Sequence, residues 1–111
     1  MNKLRVGIIG AGGGVAAIHF EAYRTLECID VVAAAELNKE TLASVTSKWS
    51  INGYTDFDEM LKKENLDIAC ICVPARYHRQ VAEKVAEYNV HILIEKPLAT
   101  NLIDGQAILD I

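Results

Sequence analysis

Short β-branched runs alternate along this chain with longer stretches whose apolar residues recur every three or four positions. Leu4 to Ile9 (LRVGII) predicts a first strand, and a glycine cluster follows it. Val15, Ile18, Ala22 and Leu26 then recur at helical spacing. Ile29 to Ala35 (IDVVAAA) predicts a second strand. Asn38 is a suitable N-cap for a helix with Leu42, Val45 and Trp49 on one face. Gly53-Tyr54 is a short extended piece, and Thr55 with Asp58 has the spacing of a capping box opening a short helix. Asp67 to Val73 (DIACICV) is apolar on both faces, as a central parallel strand should be. Arg76 to Tyr88 predicts a helix with Val81, Val85 and Tyr88 in one stripe, and Asn89 suits the left-handed residue after it. Val90 to Ile94 is a fifth strand, and Leu102, Ile103, Ala107 and Ile108 begin a last helix.

This alternation implies an α/β fold with a doubly wound parallel sheet. There is no internal repeat or linker, so residues 1–111 form one domain. A doubly wound dinucleotide fold usually has six strands. With five here, the expectation is a first domain cut off before its sixth strand. A small complete five-stranded protein is the alternative. On the fragment reading the fifth strand has an uncovered edge, which invites self-association.

Composition narrows the classes. Apolar residues are 51% and charged residues 23% of 111, ordinary values for a globular domain. A net charge of −4 lacks the basic footprint of nucleic-acid binding and argues against anionic membranes. No apolar run approaches the ~20 residues of a membrane helix, and Met1-Asn2-Lys3 leads into the first strand without a signal-peptide layout. Three cysteines, an odd number, favour a reducing, cytoplasmic setting over a disulfide framework.

Four segments carry candidate chemistry. Gly10, Gly12, Gly13 and Gly14 lie between a predicted strand and a predicted helix. Glycines there permit a tight turn and close approach to a pyrophosphate, which the helix N-terminus attracts. The strict G-x-G-x-x-G spacing is not met, since its third glycine position falls on Val15. A loop whose glycines serve chain reversal alone is the plainer alternative. Glu36 ends the second strand 26 residues after Gly10, near the offset of an acid that holds ribose hydroxyls. Such a carboxylate repels a 2′-phosphate and favours NAD over NADP, although Asn38 and Lys39 keep NADP open. An exposed surface glutamate is the other reading.

Glu95-Lys96-Pro97 follows the fifth strand, at the sheet edge where ligands of open parallel sheets bind. A lysine buried there can relay a proton from a hydroxyl, and Pro97 permits a cis peptide. Pro74 and His78 close the central strand beside the glycine loop, with a structural hydrogen bond the equal alternative for His78. His19 reads as structural and His91 as unremarkable. Cys70 and Cys72 (C-x-C) read as core thiols, and no metal site is expected.

Together, VGIIGAGGGVAAIH (Val6–His19), VVAAAELN (Val31–Asn38), YTDFDEML (Tyr54–Leu61), ICVPARYH (Ile71–His78) and HILIEKPLA (His91–Ala99) resemble the Gfo/Idh/MocA family of oxidoreductases across the whole chain. The resemblance implies an N-terminal Rossmann domain binding NAD or NADP, normally followed by a substrate and oligomerisation domain. It implies hydride transfer between nicotinamide and a sugar, cyclitol or related hydroxy compound by a homo-oligomer. Lys96 matches the family's catalytic lysine, with Glu95 and Pro97 shaping its corner. Gly10, Gly12 and Gly13 match the pyrophosphate loop, Glu36 the ribose acid, and Pro74 and His78 the cofactor-edge segment. The sequence departs from the family in a loop one residue longer before His19 and in Ala75, where asparagine is common. The second-domain histidine and acid that work with the lysine lie outside these residues. Two other readings stay open: a non-catalytic NAD(P)-binding or redox-sensing module, and an S-adenosylmethionine-dependent Rossmann-like methyltransferase.

Overall fold

The structure, a computed structural model, describes residues 2–111. Five strands form one parallel sheet: β1 (Leu4–Ile9), β2 (Ile29–Ala35), β3 (Asn52–Tyr54), β4 (Ile68–Ile71) and β5 (His91–Ile94). Their order is β3-β2-β1-β4-β5, so the chain runs outward from β1 to one edge and then returns to build the other side. That reversal between β1 and β4 is the switch point of a doubly wound sheet, and it opens a crevice at the carboxyl ends of the strands.

The helices are α1 (Gly14–Tyr23), α2 (Lys39–Trp49), α3 (Phe57–Glu64), α4 (His78–Ala86) and α5 (Leu102–Leu109). Strand side chains alternate between faces, and each face has its own core. Val6, Ile8, Ala34 and Cys70 pack under α1 and α2 with Ala16 and Phe20, and the Phe20 ring stacks on Trp49 at 5.2 Å. Ile9, Ala33, Ala35, Ala69 and Ile71 pack on the other face with Met60, Val81, Val85 and Ile108. A buried carboxylate pins the β3 side. Glu64 accepts from the Tyr54 hydroxyl (2.6 Å), the Asn52 amide (2.9 Å) and the Arg5 guanidinium (3.2 Å). The bond to Glu64 is the main cause holding the Tyr54 phenol up to about 12.

Most predicted elements form where the pattern placed them, with four corrections. In α1 the buried residues are Ala16 and Phe20, whereas Val15, Ile18 and Ala22 face outward and Leu26 lies beyond the helix. The packed stripe is thus one residue on from the expected one, a rotation of about 100°. Nearly every position of this helix is apolar or small, so spacing alone does not fix its phase. Asp56, not Thr55, caps α3, accepting the Asp58 N–H at 2.9 Å. The predicted helix from Arg76 starts as a 3₁₀ turn over Ala75–Tyr77 and becomes α-helical only at His78. Leu102 and Ile103 of α5 are exposed, and only Ile108 of that stripe is buried. By contrast, Asn38 caps α2 through the Thr41 N–H (3.0 Å), and Asn89 has the left-handed φ of 56° expected after α4. No helix among the described residues is long and apolar enough to cross a membrane.

Candidate functional site

The chain leaves β1 through a turn that only glycine fits. Gly10 has φ +83°, and a Cβ on it would lie 2.8 Å from the Val73 nitrogen. Its N–H and that of Ala11 both donate to the Ala35 carbonyl, at 3.0 and 3.2 Å. The Cys72 N–H donates to the Ile9 carbonyl, so the turn is clamped between the ends of β2 and β4.

Gly12 is crowded from the β2 side. Its N–H donates to Oε1 of Glu36 at 3.0 Å, and a Cβ there would meet that oxygen and Thr41 Cγ2 at 2.7 Å. Gly13 is the N-cap of α1 and offers no side chain to cap it, and the first turn of α1 holds no acid. A Cβ at Gly13 or Gly14 would meet nothing within 4 Å. The positive end of α1 therefore opens into free space, with no side chain among the described residues capping its first N–H donors. This is the arrangement that receives an anion.

Glu36 follows β2 and is held at both oxygens. Oε1 takes the Gly12 N–H, and Oε2 takes the Asn38 N–H at 3.0 Å. A carboxylate has about four acceptor positions, so two remain for hydroxyl donors. The cleft between these groups and β4–β5 has a volume of about 780 Å³. Of the candidate site residues from the sequence, Gly10, Gly13, Gly14, Glu36, Pro74, Glu95 and Lys96 line it, and so does Cys72, which the sequence reads as a core thiol and the structure leaves half-buried. Gly12, His78 and Pro97 do not line it. Sequence reasoning missed Leu37, Thr55, Phe57 and Tyr77 on its walls. Leu37 carried a usable signal, as an apolar residue beside a strand-end acid that proves 86% exposed.

The far end of the cleft is built from β5. The Glu95 N–H donates to the Ile71 carbonyl at 3.1 Å, and its carboxylate lies 2.6 Å from Nε2 of His19. That contact is the main cause of a Glu95 carboxyl held below the usual range. Lys96 is exposed, so these residues do not supply the burial expected for it, and the Lys96–Pro97 peptide is cis. His78 is fully buried below the cleft floor. Its ring nitrogens lie 2.9 Å from the Val73 carbonyl and 3.0 Å from the Leu98 carbonyl. It ties the end of β4 to the segment after Lys96, which is the hydrogen-bonding reading of that residue.

The residues present fit a dinucleotide. An uncapped helix end faces the cleft at one side of the switch point, a carboxylate with spare acceptor positions stands beside it, and a lysine stands across from them.

Comparison with known proteins bears on the same residues. Residues 4–111 match the family GFO_IDH_MocA, described as an oxidoreductase family with an NAD-binding Rossmann fold. Myo-inositol 2-dehydrogenase of Thermotoga maritima is 25% identical over 108 residues, covering 96% of this chain and 32% of that protein. D-apiose dehydrogenase of Paraburkholderia graminis is 30% identical over 92 residues, covering 82% of this chain and 24% of that protein. The WlbA dehydrogenase of Bordetella pertussis, solved in complex with NADH and UDP-GlcNAcA, superposes with a TM-score of 0.94 at 25% identity. That superposition covers 99% of this chain and 33% of the solved one. The chain thus spans about a quarter to a third of the length of these relatives.

Proposed function

We propose, from the premise that this chain belongs to the Gfo/Idh/MocA oxidoreductase family, that residues 1–111 are the cofactor domain of a dehydrogenase acting on a sugar, cyclitol or related hydroxy compound. The observation that carries this reading is the uncapped N-terminus of α1, which shares one cleft with Glu36 and Lys96.

The turn at Gly10, Gly12, Gly13 and Gly14 holds the pyrophosphate, with the first N–H groups of α1 donating to it. Glu36 accepts from the ribose hydroxyls through the positions its two backbone bonds leave free. Its negative charge sets NAD ahead of NADP, because a 2′-phosphate would meet a carboxylate already fixed by Gly12 and Asn38. Pro74 shapes the cofactor edge of the cleft, and His78 supports that edge from beneath. When bound, the nicotinamide supplies the hydride acceptor or donor. Lys96 holds the reacting hydroxyl at Nζ and moves its proton, while Glu95 and Pro97 fix the backbone from which Lys96 projects. The enclosure that Lys96 needs comes from a substrate domain outside these residues, in a cytoplasmic homo-oligomer that uses neither nucleic acid nor membrane.

Relatives named for myo-inositol and D-apiose support the substrate class. The test is thermal unfolding of the chain with NADH or with S-adenosylmethionine. Stabilisation by NADH alone is expected. Stabilisation by S-adenosylmethionine in its place overturns the assignment.

A further inference from the structure

On the α1 face of the sheet, reaching the cleft wall at Cys72, lies a cluster to which the proposed nucleotide site gives no role of its own. Cys70 on β4 and Cys72 just after it project to the same side, and their sulfurs lie 3.7 Å apart. His19 of α1 completes the group. A ring nitrogen of His19 and both sulfurs all lie within 4.8 Å of one another. No other set of three or more histidine, cysteine or acidic side chains converges in this way among the described residues.

Two further observations point to a missing ligand. The hydroxyl of Tyr23, one turn after His19, borders Cys70 and is buried without a hydrogen-bond partner. It is the one such side-chain atom among the described residues, and a buried hydroxyl left unpaired is costly. The other is the carboxylate of Glu95, 2.6 Å from Nε2 of His19. Imidazoles that bind metals commonly carry such a carboxylate, which fixes the ring and raises its basicity.

The distance between the two sulfurs is also one that a shared cation would set. Tetrahedral zinc with bonds of about 2.3 Å to sulfur sets two thiolates about 3.8 Å apart. The observed 3.7 Å matches this, and far exceeds the roughly 2.05 Å of a disulfide. Two sulfurs and an imidazole select a borderline-soft cation over magnesium or calcium.

We propose that His19, Cys70 and Cys72 form a binding site for a borderline-soft divalent cation of the zinc(II) type, completed by the Tyr23 hydroxyl or a water. The site fastens α1 to β4 and, through Glu95, to the segment that carries Lys96. Thiolate sulfurs are the ligands, so metal uptake releases protons.

Titration of the chain with cobalt(II) under reducing conditions tests this. The expected result is one equivalent bound, with thiolate-to-cobalt charge-transfer absorption and intense tetrahedral bands. Cys70→Ser and Cys72→Ser should abolish the charge-transfer band. Glu95→Gln should weaken binding by about 10- to 100-fold, and Cys28→Ser, a change at an exposed thiol, should leave the spectrum intact. A weak octahedral spectrum in the unaltered chain, or a charge-transfer band that survives both serine variants, overturns the proposal. Alkylation of the unaltered chain provides a readout that does not depend on the variants folding. Zinc should slow modification of Cys72 and not of Cys28, and equal rates with and without zinc overturn the proposal.

Discussion

The Gly12 N–H donates to Oε1 of Glu36 at 3.0 Å, so the turn after β1 and the end of β2 are joined by one charged hydrogen bond. The other oxygen of the same carboxylate takes the Asn38 N–H, which leads into α2. Glu36 thus shapes the glycine turn and also stands in the cleft that the turn serves. Removing it should do two things at once. Glu36→Ala is expected to lower NADH affinity by about 10- to 100-fold, the equivalent of hydrogen bonds to a charged group worth about 1.5–3 kcal/mol. NADPH affinity should fall less, because the repulsion of the 2′-phosphate disappears with the carboxylate. Calorimetric titration of the variant with each nucleotide measures both effects, and an equal loss for the two would show that Glu36 only shapes the loop.

The phase of α1 gives a stability test. Phe20 is buried against Trp49, whereas Ile18 is 70% exposed. Phe20→Ala is expected to cost about 3–5 kcal/mol through lost burial and the cavity left behind. Ile18→Ala should stay within about 0.5 kcal/mol of the parent. Urea denaturation separates the two, and a comparable loss at Ile18 would restore the stripe that the sequence pattern alone suggests.

That helix also shows where legibility stops. The strands were readable because each is a short apolar run between punctuating residues, whereas their order β3-β2-β1-β4-β5 is set by pairing that the sequence pattern does not specify. The shared placement of Gly10, Gly13, Gly14, Glu36 and Lys96 around one cleft was readable because strand-end positions in such a sheet share one edge. The phase of α1 was not, since GVAAIHFEAY is apolar or small nearly all round. Nor was the grouping of His19 with Cys70 and Cys72, which are 51 and 53 positions away and meet it only when α1 lies across β4. His78 drew attention by its place after Pro74, but its two carbonyl partners, at Val73 and Leu98, require the folded segment beyond Lys96.

Acid should loosen the α3–α4–α5 side. The Tyr88 hydroxyl, 2.6 Å from Asp58, and then Lys62 hold the Asp58 carboxyl below its ordinary value of 3.8, and Arg79 at 3.0 Å does the same for Asp104. A carboxyl depressed in the folded state stabilises above its unfolded value and loses that contribution as pH falls through the folded one. Stability should therefore be level above about pH 4 and decline below it. Asp58→Asn should make that decline shallower in denaturation curves recorded across the acid range. An unchanged slope would remove Asp58 from the account.

Lys96 carries the catalytic proposal. On the proposed function, in a chain that joins this domain to a substrate domain, Lys96→Ala is expected to lower kcat by about 10²- to 10⁴-fold, the usual contribution of a positioned acid or base. NADH binding should persist, since the phosphate turn and Glu36 lie across the cleft from Lys96. Turnover near the parent value would remove Lys96 from the chemistry.

On the proposed function, the uncapped end of α1 and the Glu36 carboxylate form one nucleotide site. Calorimetric titration of this chain with NADH, and separately with NADPH, measures that site. One NADH bound per chain and distinctly weaker NADPH are expected. Absence of heat with both nucleotides, or tighter binding of NADPH, would contradict it.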